Sequence, residues 1–73
     1  MAQLTDRDLD WIREALRSWR RKRPFESSLS TSILRNGGGY EDYIRVISEI
    51  RDRAKTERIE VHDAARRLVS SDD

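Results

Sequence analysis

The chain has 73 residues, no cysteine, 36% hydrophobic and 40% charged residues, and a formal net charge of +1. That length admits one domain, residues 1–73, with a thin core, and the missing cysteines exclude a disulfide framework and a thiolate metal site. A charged fraction well above the usual ~25% favours helices, whose outer faces tolerate solvated charge, and the near-neutral balance supplies no global field toward nucleic acid or a membrane.

The first element announces itself at Leu4-Thr5-Asp6-Arg7-Asp8-Leu9. Thr5 is an N-cap, Asp8 stands at the third helical position where a capping-box acid belongs, and Leu4 can staple onto Leu9. The spacing predicts a helix over 5–23, stopped by Pro24, which lacks an amide donor and biases its predecessor away from helix. Its inward face is Leu9, Ile12, Leu16 and Trp19, with Ala15 beside it. Trp11 falls about a quarter turn away, as a lid over the core or as an exposed contact residue. Charge is sorted by end, Asp6, Asp8, Asp10 and Glu14 in front and Arg17, Arg20, Arg21, Lys22 and Arg23 behind, which complements the helix dipole.

Residues 24–39 form a serine- and glycine-rich connection. Loops of this length are uncommon in compact domains, so a short helix is expected near 29–35, capped by Ser28 and stopped at Asn36-Gly37, with Phe25 and Leu34 anchoring it to the core. A flexible segment is the competing reading.

From Tyr40 to Leu68 apolar residues recur at Tyr40, Tyr43, Ile47, Ile50, Ala54, Val61, Ala64 and Leu68 in three-and-four steps, the signature of a helix face. Ile44 widens this stripe and Val46 lies off it. One uninterrupted helix would put the charge of Glu57 in the seam. The favoured reading is therefore two helices, 40–55 and 57–70, with a turn at 55–58 and Thr56 as the second cap. The buried side of the last helix is then Ile59, Val61, Ala64, Ala65, Leu68 and Val69, and the tail 70–73 should fray.

Chemistry-bearing constellations are sparse. Gly37-Gly38-Gly39 opens a helix as a phosphate cradle does, but no Lys-Ser or Lys-Thr follows, and Glu41 and Asp42 occupy the anion's place. His62 is the single histidine, short of a metal ligand set and without an orienting partner for general-base work. Residues 61–68 resemble the first helix of a helix-turn-helix, yet only five residues follow for a recognition helix. Neither cofactor nor metal is expected, and the chain reads as no enzyme. No apolar run approaches the ~20 residues of a membrane span, and the N-terminus lacks the order of a signal peptide, so a cytoplasmic location is expected.

Thirteen of the fifteen basic residues are Arg, a side chain suited to bidentate recognition of carboxylate and phosphate. Codon bias would give the same count. The expectation is an all-α bundle of three main helices with a short extra helix in the first connection, its core completed by a partner helix or by homodimerisation. The favoured function is a regulatory or inhibitory adaptor that binds another protein through Trp11, Tyr40, Tyr43, Arg17, Arg20 and Arg21, residue types common in binding hot spots. Its rival is a nucleic-acid-binding protein that sets Arg17, Arg20, Arg21, Lys22 and Arg23 on phosphates.

Overall fold

The computed structural model describes residues 4–70. It contains four helices, α1 (Asp6–Ser18), α2 (Phe25–Arg35), α3 (Tyr40–Glu57) and α4 (Val61–Ser70), and no strand among the described residues. The helices neighbour one another in ring order, α1 against α2 and α4, and α3 against the same two. The core lies inside this ring, built mainly from Ile12, Leu29, Ile33, Val46, Ile47 and Ile50, each fully or almost fully buried. Of the tail 70–73 expected to fray, Ser70 is the last residue of α4, and residues 71–73 lie outside the described residues.

At the start of α1 the expected capping box is present. Thr5 Oγ1 accepts the Asp8 amide at 3.2 Å, and the Asp8 carboxylate accepts the Thr5 amide at 2.8 Å. Leu4 packs against the core cluster. The helix stops at Ser18, however, and not at residue 23. Ser18 Oγ turns back onto the Glu14 carbonyl at 3.0 Å, a bond that competes with continuation of the helix. Trp19 is extended (ψ 133°) and its indole N–H donates to the Arg23 carbonyl at 2.8 Å. Of the basic residues assigned to the back of this helix, only Arg17 lies in its last turn; the other four form a turn closed by the Arg23 amide on the Arg20 carbonyl.

The second helix begins three residues before its expected Ser28 cap, at Phe25 directly after Pro24. With 11 residues against 10 in α4, it is a full member of the bundle rather than an accessory turn. Phe25, Leu29, Ser32 and Ile33 face inward. Leu34, expected to anchor the helix, is 58% exposed, because it lies next to Ile33 along the chain and so about 100° around the helix from it.

Each glycine between α2 and α3 has its own reason. Gly37 takes φ +86°, the left-handed residue of a Schellman stop, in which Gly38 N–H donates to Ile33 O at 2.8 Å and Gly37 N–H to Leu34 O at 3.4 Å. Gly38 has no room for a side chain: an added Cβ would lie 2.5 Å from Ile33 Cγ2 and 2.9 Å from Trp11 Cζ2. Gly39 caps α3, its amide held by the Asp42 carboxylate at 2.9 Å.

In α3 the buried stripe is Val46, Ile47, Ile50 and Ala54, flanked by half-buried Tyr43. This face is rotated from the expected one. Val46 is fully buried, whereas Ile44 and Tyr40 are 42% and 71% exposed. The break that Glu57 signalled does occur, one residue beyond it. Arg58 adopts the left-handed conformation (φ 56°) and Ile59 N–H closes onto Ala54 O at 3.0 Å. Thr56 lies inside α3 and caps nothing. Glu57 receives Arg53 at 2.9 Å and also Arg67 of α4, so its charge fastens the corner. The expected buried side of α4 is present: Ala64 and Ala65 are fully buried, and Ile59, Val61, Leu68 and Val69 pack against the core.

Candidate functional site

Two arrangements of polar side chains stand out, and they differ in how completely their charges are satisfied. The first spans α1 and α3. Arg45 donates through both terminal nitrogens to the Asp8 carboxylate, one contact measuring 2.8 Å, and reaches Asp42 at 3.3 Å. Burial by itself would raise the Asp8 carboxyl, but hydrogen bonds from Arg45 and the Thr5 amide, with the guanidinium charge, bring it below the ordinary aspartate value. Asp42 is also lowered, chiefly by the Gly39 amide and further by Arg45, against some desolvation. Arg45 is correspondingly raised by the Asp8 hydrogen bonds. Every charge here has a partner, and both acids are already engaged in helix caps. This network is structural.

The second arrangement is a groove of about 470 Å³ between the end of α1, the basic turn and one side of α2. Arg20, Lys22, Arg23 and Arg35 line it, with the hydroxyls of Ser27 and Thr31 between them. Its single lining acid, Glu14, is held from below by Ser32 Oγ at 2.8 Å and by the Asn36 amide. Those hydrogen bonds, Ser32's first, lower the Glu14 carboxyl against partial desolvation, and Arg35 and Arg17 lower it further. Ser32 shares its one hydroxyl proton with the Trp11 carbonyl at 3.2 Å. Among the described residues, none of the four cations is in an ion pair, whereas Arg13, Arg45, Arg51, Arg53, Arg66 and Arg67 all are.

Across the basic turn lies a second cleft of about 390 Å³, walled by Trp19, Phe25 and His62, with Arg21, Glu26 and Glu60 at its rim and Arg23 shared with the groove. The Trp19 ring stacks on His62 at 4.5 Å between centroids and meets Phe25 edge-on at 6.1 Å. His62 thus serves as an aromatic wall, and Arg66 lies 6.0 Å from the same indole.

The residues singled out from the sequence are dispersed by this fold. Trp11, expected as a contact anchor or a lid, is 4% exposed and belongs to the core, with Arg7 over its ring at 4.5 Å. Tyr40 is exposed, and Tyr43 is half-buried, which raises its phenol. Of the basic run, Arg20, Lys22 and Arg23 come together in the groove, Arg21 faces the aromatic cleft, and Arg17 lies outside both. Sequence reasoning missed the α2 wall. The signal was there: Ser27, Thr31 and Arg35 recur every four residues, one helix face, in a stretch whose serines suggested flexibility.

Among the described residues no helix is long and apolar enough to cross a membrane, and no group of three or more His, Asp or Glu could hold a metal ion. The chain matches no protein-family model, and neither a curated protein nor a solved structure is detectably similar to it.

Proposed function

We propose that this chain is a non-catalytic binding domain whose basic groove takes the phosphates of a nucleic acid. One observation carries this reading: Arg20, Lys22, Arg23 and Arg35, unpaired among the described residues, converge on one concave surface with hydroxyl donors between them. Cations with free valence are what phosphate binding consumes, since each contact releases a condensed counterion. The local excess is three positive charges, four cations against Glu14, although the whole chain carries only +1. Arg20 and Arg35 are exposed, so Arg20→Glu with Arg35→Glu leaves the fold intact and should abolish binding of labelled oligonucleotides. Binding unchanged in that double variant would refute the proposal.

A second reading, the regulatory or inhibitory adaptor, is favoured by a separate observation: Tyr40, Leu34 and Ile44 are large and exposed near the α2–α3 junction. Exposed aromatic and aliphatic side chains are contact-forming types. Of the two expected anchors, Trp11 and Tyr40, this reading keeps Tyr40 alone, since Trp11 is buried, and the occupant is another protein or a second copy. Light scattering at high concentration, with Tyr40→Ser as control, separates the two occupants. A monomer mass dismisses the homodimer, and pull-downs unaffected by Tyr40→Ser dismiss the anchor.

A further inference from the structure

The groove and the aromatic cleft are adjacent and share Arg23, and their charges differ in kind. In the groove four cations face one acid. In the cleft two cations, Arg21 and the Arg23 already counted in the groove, face two acids, Glu60 and a Glu26 that pairs with Arg51 at 3.6 Å, so the cleft adds no surplus charge for a phosphate. What it offers is the part-exposed Trp19–His62 stack, Phe25 being only 3% exposed and part of the core, and carboxylates that accept hydrogen bonds from amino groups. Such a cleft suits a flat, neutral, nitrogen-bearing ring beside a phosphate site.

Resting on the phosphate-binding reading, we infer that the ligand is a single strand: its backbone follows the basic groove and one base enters the aromatic cleft beside Trp19 and His62. Single-strand binders combine a cationic groove that tracks the backbone with aromatic side chains for the bases. A duplex keeps its bases stacked inside and cannot fill the cleft. Its reading by protein also calls for a helix or ribbon projecting into a groove of the DNA, whereas these cations occupy a turn and the wall of a concavity. Both cavities fall in the lower part of the ~300–1,000 Å³ range of ligand sites, which fits a nucleotide-sized occupant in each. The Trp19 indole is tied to the basic turn by its N–H bond to the Arg23 main-chain carbonyl at 2.8 Å, which holds the base platform beside the groove.

The test titrates the full chain with oligo-dC and with a duplex of the same length, following tryptophan emission and the anisotropy of labelled probe. Since Trp11 is buried, quenching reports Trp19. Oligo-dC should quench emission and bind at least tenfold more tightly than the duplex, and Trp19→Phe should remove the quenching. His62→Ala leaves Trp19 in place and should weaken oligo-dC binding about tenfold, the loss expected for one stacking wall, with duplex affinity unchanged. Equal affinities for both probes, without quenching and without an effect of His62→Ala, would overturn the single-strand inference while the phosphate groove stands. Failure of both probes to bind at low salt would overturn the groove itself.

Discussion

Arg45 of α3 grips the carboxylate of Asp8 in α1 with both arms of its guanidinium, although the two residues are 37 positions apart. Asp8 also closes the cap of α1, and Asp42, the cap acid of α3, receives the same arginine. One side chain therefore fixes two helix starts. The Asp8 side chain is 1% exposed and that of Arg45 37%, so the carboxylate bears the desolvation while the guanidinium stays partly hydrated. Arg45→Ala should cost about 2–3 kcal/mol, the scale of charged hydrogen bonds lost by a buried partner, as read from urea denaturation. A loss under about 0.5 kcal/mol, typical of exposed pairs, would show the contact to be incidental.

Acid should unfold the protein through this network and through Glu14. Asp8, Asp42 and Glu14 all have folded-state values below their ordinary ones. A depressed carboxyl contributes stability that is present above its unfolded value, about 4, and is lost as pH falls through the lower folded value. The melting temperature should therefore change little from neutral pH to about pH 5 and drop below about pH 4. Asp8→Asn should begin less stable and fall less steeply. A wild-type melting temperature that is constant down to pH 2 would contradict this account of the three acids.

Neighbouring glycines should respond oppositely to substitution. Gly38→Ala forces a Cβ into Ile33 and Trp11, an overpacking that costs about 1–3 kcal/mol. Gly39 is extended (φ −112°), caps α3 and has open space around it. Gly39→Ser adds a capping hydroxyl and restricts the unfolded chain, and should stabilise by about 0.5–1 kcal/mol. Thermal melts of the two variants should shift in opposite directions, and equal shifts would disprove the assigned roles.

Local signals carried the readable part of this fold. Thr5 and Asp8 are three residues apart, so their cap is written in one turn of sequence. The misfit of Glu57 marks the α3–α4 corner for the same reason, as a charge interrupting an apolar period. What the sequence hides is set between helices. Val46 and Ile44 are equally apolar, and only the docking of α3 between α2 and α4 decides that Val46 is buried and Ile44 is not. Trp11 likewise becomes core because the α2 stop brings Gly38 and Ser32 against it. The groove is half legible: its basic turn reads as a run, but Arg35 joins it only through the pairing of α1 with α2.

The salt dependence of single-strand binding tests the central claim most directly. Each phosphate held contributes a slope of about −0.7 in log affinity against log salt. If Arg20, Lys22, Arg23 and Arg35 engage three or four phosphates, affinity should fall about 20–50-fold between about 50 and about 200 mM salt. Arg20→Ala with Arg35→Ala, milder than the charge reversal that abolishes binding, should flatten that slope. Affinity that is the same at both salt concentrations, or a slope that survives loss of both arginines, would contradict a phosphate-binding groove.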